Sequence, residues 1–305
     1  MIRLIFKRVV LMLNSLIHRI IVNLFFYYII YFQTKKIKSS IKRGQFPVHM
    51  LVCHKDYKMS IITLFYFLKS SDVIYDILIH DDGTISKSQE NIFKSLSVEI
   101  NYISRAQSDS LVERELKDFQ TLLKWRSNFP FALKLIDLYF YSTHRYYIYL
   151  DSDVLFFRNP IYINELVKNS FESKDLNNYF NKDIESAYVA SVHTFKEKFD
   201  IDLMPRLNAG LMFINKEILI FSKINWYLEN EMYLNFEVVR KHVSEQTLYA
   251  ILASASDSNT SYFPSEYDVS LNKNIINSVT KHYVGKIRYK YSLEGLISMF
   301  NNKNI

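Results

Sequence analysis

The run Tyr146-Tyr147-Ile148-Tyr149-Leu150 is followed at once by Asp151-Ser152-Asp153. Five apolar or aromatic residues, rich in β-formers, are too few for a buried helix and predict a buried strand. An ionised carboxylate is costly to bury unless it is paired or holds a cation. A buried strand that ends in Asp-x-Asp therefore predicts a cation site at the carboxyl end of a sheet, where open α/β folds keep their ligands. Hard divalent ions such as Mg²⁺ and Mn²⁺ take oxygen ligands, commonly one or two carboxylates plus substrate phosphates. The expectation is a metal-assisted enzyme acting on a phosphorylated substrate. Asp153 would bind the ion directly, and Asp151 the ion or a ribose hydroxyl.

Strands and helices alternate around this run. Residues 48–53 predict a first strand, His54-Lys55-Asp56 a turn, and 57–68 a helix with apolar residues at helical spacing. Residues 75–80 predict a second strand, closed by the turn signal Asp81-Asp82-Gly83-Thr84. A helix over 87–96, a third strand over 98–103 and a helix over 131–141 lead into the strand before Asp151. The pattern predicts an α/β sandwich with a mostly parallel central sheet. Residues 164–186, polar and acidic, read as helix and loop above the site, and 254–262 as a loop.

Composition narrows the chemistry. Only five glycines occur, and neither G-x-G-x-x-G nor G-x-x-x-x-G-K-[ST] is present. Any phosphate must therefore be held by a metal and basic side chains. Cys53 is the single cysteine, so no internal disulfide can form, which fits a reducing cytoplasm. The net charge of +7 is uneven. Nine of the 38 basic residues lie in 1–43 with no acid, and the other 29 meet 31 acids. The body is near neutral, so nucleic-acid binding is not expected.

Residues 1–44 read as a basic amphipathic arm, with the main domain over 45–305. On a helix, Lys7, Arg8, Asn14, Ser15, His18, Arg19 and Asn23 gather on one half, with Leu13, Leu16, Ile17, Ile20 and Leu24 on the other. Such a helix suits the surface of an anionic membrane. Arg19 near its middle argues against a span, and no small-residue cleavage site marks a signal peptide. Packing on the body or on a partner chain is the alternative.

Three further segments carry chemistry. Asn208-Ala209-Gly210 opens an apolar strand with small residues that admit a close backbone approach, and Asn208 could bond a sugar hydroxyl. Ser244-Glu245-Gln246 starts a helix whose first turn can face a cleft. In His282-Tyr283-Val284-Gly285-Lys286-Ile287-Arg288, the imidazole could complete a metal site with carboxylates. Lys286 and Arg288 could take phosphate oxygens.

Together these segments, over roughly residues 46–290, resemble GT-A type nucleotide-sugar glycosyltransferases. The pattern is similar to glycosyltransferase family 8 and related bacterial surface-polysaccharide transferases. The resemblance implies that Asp151, Asp153 and His282 hold Mn²⁺ or Mg²⁺. It places Glu245 and Gln246 beside the donor sugar, with Asn208 joining them as a catalytic residue, and Lys134 ahead of the metal strand. Cys53, His54, Asp56 and Asp82 fall where the nucleotide binds, and Gly285, Lys286 and Arg288 where its phosphates do. Two departures are plain: Arg288-Tyr289-Lys290 replaces a usual Lys-Pro-Trp, and Thr247 stands where a second acid is common.

The resemblance implies sugar transfer from a nucleotide-diphosphate donor, a UDP-sugar foremost, to a glycan or lipid-linked acceptor. The site would lie in the cytoplasm, at the inner membrane face. Inverting chemistry would need a carboxylate base, with Glu245 the candidate; retaining chemistry would not, and the sequence does not choose. A haloacid-dehalogenase-like phosphatase also uses Asp-x-Asp after a strand, but needs it near the domain start. An inactive membrane-bound scaffold would be expected to have lost Asp151, Asp153 or His282.

Overall fold

The computed structural model describes residues 2–33, 45–96, 100–172, 175–230, 243–255, 259–270 and 275–301. Its strands are β1 (Phe46–Val52), β2 (Tyr75–Asp81), β3 (Asn101–Ile103), β4 (Tyr146–Leu150), β5 (Val154–Phe156), β6 (Asn178–Lys182), β7 (Leu207–Asn215), β8 (Thr260–Tyr262), β9 (Tyr267–Asp268) and β10 (Thr280–His282). Seven of them form one sheet in the order β3-β2-β1-β4-β7-β6-β8. Only β7 runs against its neighbours. The chain adds β2 and β3 on one side of β1, then returns to lay β4 on the other. A topological switch therefore falls between β1 and β4, the place where such sheets open a crevice.

β4 is apolar throughout because both of its faces are covered. Tyr146, Ile148 and Leu150 enter one core, with the helix Tyr57–Ser70. Tyr147 and Tyr149 enter the other, with the helices Ala132–Tyr141 and Ser244–Ala255. A second, three-stranded sheet, β5-β10-β9, lies just beyond the end of β4.

Two stretches differ from the sequence expectation. Residues 164–186 are not only helix and loop, because β6 lies within them and joins the central sheet. Its residues read as polar, yet Asn178 is buried and accepts from the backbone of Asn215 at 2.8 Å. An asparagine that completes a backbone hydrogen bond leaves no apolar alternation to detect. Within 254–262, Thr260–Tyr262 is an edge strand parallel to β6. β3 covers the end of the expected third strand, and 97–99 lie outside the described residues.

The N-terminal helix spans Ile2–Tyr28 and continues as π-helix over Ile29–Gln33. Val22, Phe25, Phe26 and Ile29 are buried on the helices Tyr57–Ser70 and Lys290–Asn301. Asn23 accepts from Lys58 Nζ at 2.6 Å, and His18 Nδ1 lies 3.0 Å from Ser292 Oγ. Leu13, Leu16, Ile17, Ile20 and Leu24 are each at least 50% exposed. Met12–Phe32 is long and apolar enough to cross a membrane.

Between β1 and β2 lies a buried pair of histidines. Ser142 Oγ–H donates to Leu138 O at 2.7 Å, so its oxygen accepts from His49 Nε2–H at 2.9 Å. His49 Nδ1 is then the acceptor for His80 Nε2–H at 2.8 Å. This chain suits two neutral rings, and a further proton has no partner to receive it. Burial holds His80 down to about 3, and burial with the neighbouring ring holds His49 well below its usual value. Both rings protonate more readily when unfolded. Their contribution to stability is thus full above about pH 6.5 and is lost as pH falls from there toward 3. We predict a loss of about 1.4 kcal/mol per pH unit for each ring in that window. Urea midpoints at pH 7.5 and 5 would measure it, and His80→Leu should flatten the slope. An unchanged slope would reject the assignment.

Candidate active site

The carboxyl ends of β1, β2 and β4 open into a cavity of about 680 Å³. Its lining includes Cys53, His54, Asp56, Asp82, Asp151, Asp153 and Arg288. Asp151 is held where β4 ends, its backbone N–H donating to Gly210 O at 2.7 Å. The chain then turns through Ser152 and Asp153 into β5. β5 pairs antiparallel with β10, setting His282 opposite Val154, and Tyr283 N–H closes onto Asp153 O at 2.9 Å. The small sheet is therefore what carries His282 across 129 residues of chain to the two aspartates.

The three side chains converge. His282 Nε2 lies 3.1 Å from Asp153 Oδ1 and 3.7 Å from Asp151 Oδ2. Their ligand atoms all lie within 4.8 Å of one another. His282 Nδ1 donates to Asn208 Oδ1 at 2.8 Å. That bond leaves Nε2 aimed at the aspartates, the orientation a metal ligand needs. Burial opposes charge on His282, but Asp153 and Asp151 outweigh it and raise the pKa. Burial likewise opposes charge on Asp153, while His282 and then Arg288 hold its pKa down. Two carboxylates and one imidazole suit Mn²⁺ or Mg²⁺, and the nitrogen favours Mn²⁺.

Gly210 is required by this packing. A Cβ there would fall 2.1 Å from His282 Cε1. We predict that Gly210→Ala displaces the imidazole and lowers metal affinity about 10- to 100-fold, the range for disturbed ligand support. Mn²⁺ titration by calorimetry would check it, and unchanged affinity would reject it.

Lys134 sits behind Asp151. Its Nζ lies 3.0 Å from Glu245 Oε1, 3.5 Å from Asp151 Oδ2 and 4.3 Å from the centre of the Tyr149 ring. Burial opposes its charge, yet Asp151 and Glu245 prevail and its pKa is raised. One ammonium cannot fully neutralise both carboxylates. Burial, and next among the raising influences the charge of Asp151, push the Glu245 carboxyl up.

Several sequence candidates lie behind the cavity rather than in it. Asn208 is committed on both sides: Oδ1 to His282 and Gly210 N, Nδ2 to Asp183 at 2.9 Å. Gln246 bridges Ala187 O and Ala209 N, at 3.0 and 3.3 Å. Arg288 faces the cavity, its guanidinium 2.6 Å from Asp56 and 3.5 Å from Asp153. Gly285 is exposed and opens the short helix Gly285–Ile287. The side chain of Lys286 lies outside the described residues. His54 is fastened through Gln89 and Thr84, and Thr84 through Asp82.

Two members escaped the sequence reading. Tyr149 donates to Asp151 Oδ1 at 2.6 Å; strand period 2 puts it on the same side as Asp151, so a signal existed. Asp183, which fixes Asn208, had none.

Solved structures share this architecture. A mouse xyloside xylosyltransferase superposes with a TM-score of 0.54 at 11% identity, over 79% of this chain and 98% of that one. The fold is the GT-A glycosyltransferase fold. WbbM, a bifunctional glycosyltransferase, gives 0.50 at 11% identity, over 84% of this chain and 50% of that one. The galactosyltransferase LgtC gives 0.48 at 13%, over 85% and 97%. No protein-family model and no curated sequence matches the chain. The mostly parallel GT-A sheet is thus as the sequence led one to expect.

Proposed function

We propose that the chain is a metal-dependent glycosyltransferase. It would move a sugar from a nucleoside-diphosphate donor, a UDP-sugar, to a glycan or lipid-linked acceptor in surface-polysaccharide synthesis. The observation that carries this is the convergence of Asp151, Asp153 and His282 on the edge of a large cavity at the sheet's switch point. Asp151, Asp153 and His282 would hold Mn²⁺ or Mg²⁺, which supplies charge for the leaving diphosphate. Arg288, aimed by Asp56, would take a phosphate oxygen as a planar fork. Cys53, His54 and Asp82 would border the nucleoside. Lys134 would keep Asp151 ionised beside the donor, and Glu245 would set the charge of Lys134. Asn208 and Gln246 would act through position, Asn208 by orienting His282.

The arm supports work at the cytoplasmic face of an anionic membrane, because its basic residues have no acid among them and one apolar face is uncovered. Release of nucleoside diphosphate from a panel of nucleotide sugars, with Mn²⁺ and with chelator, tests the reading. Metal-dependent release from one donor is expected. No release from any donor would favour a scaffold, and phosphate released from simple phosphomonoesters would favour a phosphatase.

A further inference from the structure

A second cavity, of about 530 Å³, lies between the N-terminal helix and the turn after β1. His18 and Arg19 form one wall, and Lys55, Asp56, Lys58 and Arg288 the other. Lys55, Asp56 and Arg288 also border the donor cavity, so the two chambers meet at the Asp56–Arg288 pair. Four permanent cations face one carboxylate, which Arg288 already engages at 2.6 Å. Arg19 and Lys55 have no ion-pair partner among the described residues. Lys58 is set in place by Asn23 and by the rings of Phe26, Tyr27 and Tyr57, 5.3–5.7 Å away. This is a walled, positively charged recess rather than a scatter of surface lysines.

The helix that builds the wall has two apolar faces. At about 100° per residue, the buried Val22, Phe25, Phe26 and Ile29 gather on one side. The exposed Leu13, Leu16, Ile17, Ile20, Leu24 and Tyr27 gather on the other. Arg19 and Asn23 fall on the border between them. A group in the recess is therefore flanked by the donor cavity on one side and by an uncovered apolar stripe on the other.

We infer that this recess binds the phosphate of a lipid-borne acceptor, whose apolar tail stays with the stripe and the bilayer. The inference rests on the transferase reading above and names its acceptor class. The geometry explains why the wall is basic where it borders the stripe. A phosphate at headgroup depth lies between apolar chains and the aqueous donor site, and cations at that border hold it.

The test is vesicle co-sedimentation of the full chain. Vesicles of phosphatidylcholine alone are compared with vesicles that also carry phosphatidic acid, a lipid phosphomonoester. The variants are Arg19→Gln and, as a control for charge alone, Arg3→Gln. Loss of one generic basic contact weakens binding roughly fivefold. Arg19→Gln is expected to weaken phosphatidic-acid binding at least about tenfold more than Arg3→Gln does, with nucleoside-diphosphate release into water unchanged. Equal losses in the two variants would overturn the site, as would equal binding to both vesicles. Soluble glycerol 3-phosphate that competes at the affinity of the vesicles would overturn the lipid source. Failure of the transferase reading is separate: it would show as no nucleotide release from wild type, whatever the vesicles do.

Discussion

Asp153→Asn is expected to lower metal-dependent donor turnover about 1,000-fold or more. The carboxylate lies 3.1 Å from His282 and, as a ligand, would link the imidazole to the end of β4. A bound metal contributes several kcal/mol to charge development on a diphosphate, and 1.36 kcal/mol is tenfold in rate. The amide keeps the shape and removes the charge. It leaves His282 held by Asn208, and Arg288 by Asp56. The fold should therefore persist, and the defect should be one of metal. Thermal melting checks this before any donor is known. Mn²⁺ at 100 times its Kd should stabilise wild type by about 2.7 kcal/mol and should scarcely move the variant. A variant that melts like wild type with Mn²⁺ would sink the assignment of Asp153 as a ligand.

The strand before Asp151 was legible because both faces of β4 are covered, leaving an unbroken apolar run. Some helices were legible from their spacing, and the one read over 87–96 spans Lys87–Leu96; others, such as Arg105–Glu115 and Lys290–Asn301, were not read. β6 was not, because its buried Asn178 is satisfied by a backbone hydrogen bond rather than by apolar contact. The residues of the candidate metal site were legible one by one, yet their roles were not. Sequence could nominate Asn208 beside a sugar, whereas the structure commits its amide to His282, Gly210 and Asp183. Which of two polar groups touches a ligand and which aims another is decided by long-range pairing. Here the deciding contact is β5 with β10, which no local pattern announces.

Arg126→Met is expected to cost about 3–5 kcal/mol, the usual loss when one member of a buried ion pair is removed. Arg126 Nε and Nη2 each lie 2.7 Å from an Asp137 oxygen, and Nη1 lies 2.6 Å from Asp109. Ser108 Oγ donates to the same Asp137 carboxylate at 2.5 Å. Both side chains of the pair are nearly inaccessible, at 3% and 2%. Removing the guanidinium leaves Asp137 with one hydroxyl donor in an apolar core. The double variant Arg126→Met, Asp137→Leu should recover most of the loss, because no charge is then stranded. Urea midpoints of the three proteins test this, and a loss under about 1 kcal/mol in the single variant would refute it. The pair also bears on the site. Asp137 lies one turn beyond Lys134 on the helix Ala132–Tyr141. If the double variant regains stability but turns over donor more slowly, the pair also orients Lys134 against Asp151. If both return together, it serves stability alone.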